Sequence, residues 1–187
     1  MRVLLSGLLL AGFALVIVAP PAGADDVKTE PGFTSLFNGK DLTGWALGQK
    51  GGEALSGKTA TANNRFQVLD GKLVVDYKSK GNVYIHTTKE FAKDVIIKFE
   101  YLPGEGCNND VFIRGTKFDL NPKMWVKNMK LGEWNQFEII VQGEEAEFKN
   151  NGETQRTIKT KPGATPFVLR AEFGPIQFRN IQYKEGS

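Results

Sequence analysis

The stretch of the sequence with the most varied chemistry runs from Gly104 to Leu120. It carries carboxylate, carboxamide, guanidinium and ammonium side chains within one short segment. Such groups donate and accept hydrogen bonds in several directions, which suits a polyhydroxylated ligand.

A β-strand is the element expected to position these side chains. Period-two alternation places Val111 and Ile113 on one face, and Asp110, Phe112 and Arg114 on the other. One face can pack in a core while the other meets a ligand. The same alternation is equally compatible with a half-solvated edge strand that carries ordinary surface charges.

Three other predicted strands also carry charged residues on the side opposite their apolar residues. They hold Glu100, Glu138, and the pair Arg170 and Glu172. If these strands were neighbours, their charges would line one face together with Arg114. The alternative is a solvated outer sheet with cross-strand ion pairs worth about 0.2–1 kcal/mol each.

Short apolar-alternating runs separated by turn residues recur from residue 32 to the end of the chain. Asp70-Gly71 and Asn151-Gly152 are dipeptides with a strong preference for two-residue hairpins. About eleven such strands without helical crossovers predict an all-β fold, an antiparallel β-sandwich or jelly roll. The chain of 187 residues fits one such domain at residues 32–187.

The composition favours the same class, because 21 glycines and 13 phenylalanines are typical of a glycine-punctuated β protein. The formal net charge is only +3, and charges of both signs are interspersed. A nucleic-acid-binding surface needs clustered Lys and Arg, so the sequence predicts no nucleic-acid partner.

The N-terminus has the features of a secretory signal. Arg2 precedes an apolar run over residues 3–18, and Ala22-Gly23-Ala24 forms a small-residue cleavage site. We predict a signal peptide at 1–24, a short leader at 25–31 and export to the periplasm or the extracellular space. A retained membrane anchor is the alternative, but Pro20-Pro21 favours cleavage, with no stable membrane insertion afterwards.

The chain has one cysteine, Cys107, and one histidine, His86. A single cysteine excludes an intrachain disulfide, and we expect a bystander thiol and a structural or surface histidine. Without a histidine pair or a cysteine cluster, zinc is not expected. No cofactor is assigned, although Asp, Glu and backbone oxygens leave room for calcium, magnesium or manganese.

Five segments of the chain resemble the family of 3-keto-disaccharide hydrolases, also described as 3-keto-glucoside 1,2-lyase/hydratase domains. They read G-F-T-S-L-F-N-G-K-D-L-T-G-W at 32–45, F-Q-V-L-D-G-K-L at 66–73, N-N-D-V-F-I-R-G at 108–115, G-E-W-N-Q-F-E-I at 132–139 and F-G-P-I-Q-F-R-N-I at 173–181. The short segment before the W-N motif marks a compact branch. The resemblance implies a concanavalin A-like lectin/glucanase jelly roll with sugar chemistry on the concave face of a curved sheet.

The chemistry implied by this resemblance needs a base, an electrophilic clamp and a proton source. A ketone at C3 acidifies the C2 proton, so elimination across C1 and C2 can be followed by addition of water, which gives net hydrolysis. Glu138, Glu100 and Glu172 are the candidate bases, and Arg114 is the candidate clamp for the enolate or a hydroxyl. Candidate contacts to the sugar hydroxyls are Asn109, Asp110, Lys117, Asp119 and Arg170.

Two further functions remain open. The domain could be a non-catalytic carbohydrate-binding jelly roll that works beside a separate sugar 3-oxidising enzyme, or a structural envelope domain. Aromatic platforms without a buried carboxylate would indicate binding, whereas a recessed glutamate beside Arg114 would indicate an enzyme.

Overall fold

The computed structural model of the protein describes residues 27–124 and 126–186. The predicted signal peptide at 1–24 and the first part of the leader lie outside these residues, so cleavage and export stay predictions. Within the described ranges, no helix has both the length and the apolar character that crossing a bilayer requires.

The described residues form two antiparallel β-sheets and one short 3₁₀ turn at Pro122–Met124. The small sheet has the strand order β2 (Trp45–Leu47), β5 (Val83–Phe91), β12 (Thr165–Phe173), β7 (Asn108–Ile113) and β8 (Thr116–Leu120). The large sheet has the order β11 (Glu153–Lys159), β10 (Glu145–Asn150), β9 (Asn135–Gln142), β6 (Val95–Pro103), β13 (Ile176–Glu185), β4 (Lys72–Val75) and β3 (Phe66–Leu69), and β1 (Thr34–Ser35) pairs with β13. The predicted all-β sandwich is confirmed.

The core lies between the two sheets, because most strands turn an apolar phase inward. Along β6, Val95, Ile97 and Phe99 are almost fully buried, and the residues between them are half-exposed. The Phe99 ring lies 5.9 Å from that of Phe167 in the small sheet, measured between centroids. Side chains that point outward from the two sheets therefore lie on opposite sides of the sandwich.

Both predicted hairpin turns are confirmed. Asp70 and Gly71 have φ angles of 49° and 76°, and Asn151 and Gly152 have φ angles of 48° and 80°. Positive φ at both central residues is the type I′ geometry, which matches the twist of the flanking strands. The pairing Leu69–Lys72 closes the first turn directly.

Two strands of the small sheet were not predicted. Strand β2 has only three residues, and β8 occupies the short segment that follows the Arg114-Gly115 turn. In β8, Phe118 faces the core while Lys117 and Asp119 face outward. This second strand places two charged residues beside those of β7.

Candidate functional site

A row of polar side chains crosses the outer face of the small sheet. Tyr84 pairs directly with Arg170, Arg170 with Asp110, and Asp110 with Asp119, so four adjacent strands each contribute one residue. These residues face outward because their neighbours along the strands, such as Leu169 and Val111, are buried in the core. We call this set, together with Lys117 and Glu172, the Asp110 cluster.

Arg170 forms the centre of the Asp110 cluster. Its Nε donates to Asp110 Oδ2, and its Nη2 donates to Glu172 Oε2. Its Nη1 donates to the Tyr84 hydroxyl oxygen at 3.3 Å. Because burial disfavours the cation while Tyr84 and the two carboxylates favour it, the net effect raises the pKa of Arg170 above its usual range. The guanidinium is therefore a fixed positive charge.

Lys117 supplies the second positive charge of the cluster. Its Nζ donates to Asp119 Oδ1 at 2.5 Å and lies 3.6 Å from Asp110 Oδ1. The hydrogen bond to Asp119 raises the pKa of Lys117, against a smaller effect of burial. The side chain of Lys117 is 44% exposed, so this ammonium group can meet a ligand.

The carboxyl of Asp110 is completely buried. Burial first, and then the hydrogen bond shared with Asp119, raise its pKa to about 6 against the opposing charges of Arg170 and Lys117. Among the described residues, no donor satisfies its Oδ1. A proton on Asp110 would resolve this, because the protonated Oδ1 could donate to Asp119. The two carboxyl groups therefore behave as a pair that holds one proton up to about pH 6.

Asp119 is the ionised member of this pair. Burial raises its pKa, but the hydrogen bonds from Asp110 and Lys117 outweigh that effect, and the pKa of Asp119 lies below its ordinary value. Its side chain is 16% exposed, in contrast to the buried Asp110. The Asp119 carboxylate, which can accept a proton, thus lies near the surface, and the carboxyl of Asp110 with its raised pKa lies buried next to it.

An aromatic pair adjoins the charged row. The rings of Tyr84 and Phe112 lie 6.0 Å apart, and both residues are half-buried on the outer face. The guanidinium of Arg170 lies 5.8 Å from the centre of the Tyr84 ring. Aromatic faces beside hydrogen-bonding groups suit the mixed apolar and hydroxylated surface of a sugar.

The family model for the 3-keto-alpha-glucoside-1,2-lyase-like domain matches residues 32–130, which is more than half of the chain. The chain belongs to this family. The match includes strands β7 and β8, and therefore Asp110, Lys117 and Asp119, whereas Arg170 and Glu172 lie beyond it. No curated protein matches this lyase-like domain.

Solved structures share the fold of the lyase-like domain. A candidate glycosyl hydrolase from Parabacteroides distasonis is 20% identical, with a TM-score of 0.64 over 87% of this chain and 99% of that one. The β-glucanase of Bacillus licheniformis is 10% identical, with a TM-score of 0.53 over 82% and 97%. The carbohydrate-binding module CBM66 from Bacillus subtilis is 9% identical, with a TM-score of 0.53 over 77% and 97%. These likenesses establish a concanavalin A-like jelly roll, as predicted.

Arg114 does not belong to the Asp110 cluster. Its Nη2 donates to the carbonyl of Lys93 at 2.5 Å, and its Nε and Nη1 donate to the carbonyls of Phe91 and Gly143, both at 3.4 Å. The residue is buried and has a φ of 45°, because the strand ends one residue earlier than the alternation indicated. The expected clamp is instead a structural residue of the β7–β8 turn.

Asn109 is also structural in this fold. Its Oδ1 accepts the backbone N–H of Glu172 at 2.9 Å, and its Nδ2 donates to the carbonyl of Phe173 at 2.9 Å. The side chain is completely buried, so it holds Glu172 beside Arg170 rather than facing a ligand.

Glu100 and Glu138 lie on the other side of the lyase-like domain. They belong to β6 and β9 of the large sheet, while Glu172 belongs to β12 of the small sheet. The expectation that Glu100, Arg114, Glu138 and Glu172 converge on one face is therefore wrong. Of the nine candidate residues, the structure brings together Asp110, Lys117, Asp119, Arg170 and Glu172.

The single cysteine and the single histidine are both buried. Burial, as the largest cause, raises the pKa of Cys107 to about 11, and its Sγ contacts the carbonyl oxygen of Leu120 at 3.1 Å. His86 is buried, with its Nδ1 3.0 Å from the carbonyl oxygen of Gly48. Among the described residues, no three His, Cys, Asp or Glu side chains are arranged to hold a metal ion.

Proposed function

We propose that this domain cleaves 3-keto-glucosides by elimination and hydration, with the Asp110 cluster as its active site. The observation that carries the proposal is the Asp110–Asp119 pair, in which a buried carboxyl with a raised pKa lies between two cations and beside a partly exposed carboxylate. Membership of the lyase-like family supports the reaction type. The buried carboxylate beside an arginine favours an enzyme over a simple binding surface, although the residues are Asp110 and Arg170 rather than a glutamate and Arg114.

The cluster contains the groups that the elimination step needs. Asp119 accepts the C2 proton, and the electron pair of that C–H bond forms an enolate whose charge lies on the C3 oxygen. The ammonium group of Lys117 stabilises that charge. As the C3 ketone re-forms, the C1–O bond breaks, and the leaving oxygen takes a proton from the Asp110–Asp119 pair. Addition of water across the C1–C2 double bond completes a net hydrolysis.

The remaining residues position this machinery. Arg170 holds Asp110 on one side and Glu172 on the other, so it fixes the pair relative to the sheet. Tyr84 and Phe112 offer apolar faces to the sugar ring. Glu172, with a side chain that is 18% exposed, is the alternative base within the same cluster.

The test is incubation of the exported protein with 3-keto-trehalose, with the products followed by mass spectrometry. Asp119→Asn and Lys117→Met should each lower turnover by about 10²-fold or more, the scale for a positioned base or a charge-stabilising group. The matched controls Asp70→Asn and Lys78→Met change exposed residues outside the cluster and should leave turnover unchanged. Parallel assays with EDTA, and with added calcium, magnesium or manganese, test whether turnover depends on a divalent cation.

Two outcomes would contradict this assignment. If Glu138→Gln abolishes turnover while Asp119→Asn does not, the reaction takes place on the large sheet. If the wild type binds the sugar without any turnover, the domain is a carbohydrate-binding module. The observation that favours this second function is that the aromatic pair lies beside carboxylates already paired with cations. Whether the domain cleaves or only binds a 3-keto sugar, a separate sugar 3-oxidising enzyme would supply the ketone.

A further inference from the structure

We infer that the outer face of the large sheet is a second binding site, which takes a neutral oligosaccharide. A groove of about 360 Å³ lies there, on the side of the sandwich opposite the Asp110 cluster. We call it the large-sheet groove; its polar lining includes Lys98, Glu100, Gln136, Glu138, Lys149 and Gln182. Its volume falls in the range of small-molecule sites, about 300–1,000 Å³.

The leader forms one wall of the large-sheet groove. The backbone N–H of Lys28 donates to Asn180 Oδ1 at 2.9 Å, and that of Glu30 donates to Gln182 Oε1 at 2.7 Å. Asn180 lies in a bulge of β13 and has a φ of 52°. Bulges of this kind redirect side chains out of the regular pattern, and here the result is a raised wall beside the sheet.

The depression continues along β9 beyond the large-sheet groove. Two further cavities of about 260 and 330 Å³ are both lined by Ile140 and Gln142. Ile140 is the next outward-facing residue after Glu138 on the same strand, so the three cavities follow one another. A surface of this length fits several linked sugar units better than one.

The charges of the large-sheet groove balance locally. Lys98 Nζ lies 2.8 Å from Glu30 Oε2 and 3.8 Å from Glu138 Oε1, and Arg179 Nε donates to Glu100 Oε2 at 2.6 Å. A lining without net charge does not select an ionic ligand. Its half-exposed polar groups instead offer donors and acceptors for hydroxyls, as a neutral saccharide requires.

Two residues extend this chemistry at one end of the groove. Gln136 pairs with Glu100 across the sheet and exposes its carboxamide. Arg179, which donates to Glu100 of the lining, has its guanidinium 4.0 Å from the centre of the Trp134 ring and is held in place by both contacts. The combination of amides and balanced charges in the lining suits the hydroxyls of a sugar.

The test is a titration of the ¹⁵N-labelled protein with maltotetraose and cellotetraose, followed by amide chemical shifts. We expect shift changes at Lys98, Gln136, Glu138 and Lys149. The double variant Gln136→Ala/Glu138→Ala should weaken binding at least tenfold, while Asp119→Asn should leave this binding unchanged. The spectrum of each variant also shows whether it remains folded.

The inference is overturned if neither tetrasaccharide changes these shifts at millimolar concentrations, or if the changes are confined to Tyr84, Phe112 and their neighbours. It is also overturned if binding is unaffected by the double variant. Turnover of 3-keto-trehalose is measured separately on the same samples. Its absence would contradict the proposed reaction without affecting the groove, because the two surfaces share no residues.

Discussion

Replacement of Asp110 by asparagine tests the shared proton directly. Asparagine has nearly the same shape as a protonated aspartate, and it can donate to Asp119 while accepting from Arg170. It cannot acquire a negative charge. The variant therefore fixes the pair in the state that the wild type reaches only at low pH.

The size of the effect follows from the pKa of Asp110, which rises from its ordinary value of 3.8 to about 6 on folding. Between these values, the folded state binds more protons than the unfolded state, so the stability of the wild type falls as the pH rises. The difference between these two pKa values corresponds to about 3 kcal/mol of unfolding free energy. The pKa of Asp119 is lowered on folding, so the contribution of Asp119 to stability changes only below the ordinary aspartate pKa of 3.8. It does not change between pH 3.8 and about 6.

The assay is urea unfolding of the wild type and of Asp110→Asn at a series of pH values from 4 to 8. Near pH 4 the two proteins should have similar stability. By pH 7 the variant should be more stable relative to the wild type by up to about 3 kcal/mol. The matched control Asp70→Asn, at an exposed hairpin turn, should show a constant difference from the wild type. A constant difference for Asp110→Asn would refute the shared proton.

Three further predictions concern other parts of the chain. Arg114→Met should lower the free energy of unfolding by about 1–3 kcal/mol, because the carbonyls of Phe91, Lys93 and Gly143 lose their donor, as urea unfolding can measure. The Cys107 thiol should resist iodoacetamide at neutral pH until urea exposes it, since burial keeps it protonated; alkylation of the native protein would contradict this. Intact-mass analysis of the exported protein should show a chain that begins at Asp25, and a mass that includes residues 1–24 would exclude cleavage.

The fold could be predicted because its signals are local. Alternation within strands such as β6 distinguishes the core face from the outer face, and the Asp-Gly and Asn-Gly dipeptides determine the turn type. Strand β2 was missed because three residues are too few to show a period. Strand β8 was missed because it follows β7 after only the Arg114-Gly115 turn.

The candidate site was only partly predictable, because alternation shows whether a side chain faces outward but not which sheet carries it. Glu100 and Arg170 both lie opposite a core phase, yet pairing places their strands on opposite sides of the sandwich. Tyr84 and Phe112 were not assigned to the site. Phe112 stood in the outward phase of β7, but the approach of Tyr84 depends on β12, which separates their strands.

A single cross-strand partner distinguishes the two outer faces. On the large sheet, Arg179 pairs with Glu100, and Glu100 pairs with Gln136. On the small sheet, Arg170 pairs with Asp110, and Asp110 pairs with Asp119.

The two rows have the same order, an arginine followed by a carboxylate, and they differ in the third residue. A carboxamide opposite a carboxylate can donate a hydrogen bond to it, so no additional proton is needed. A second carboxylate can only accept, unless one of the two groups is protonated. The Asp110 cluster can therefore hold a transferable proton, which the proposed elimination would use, whereas the row on the large sheet has fixed hydrogen-bonding groups, which the inferred binding surface would use.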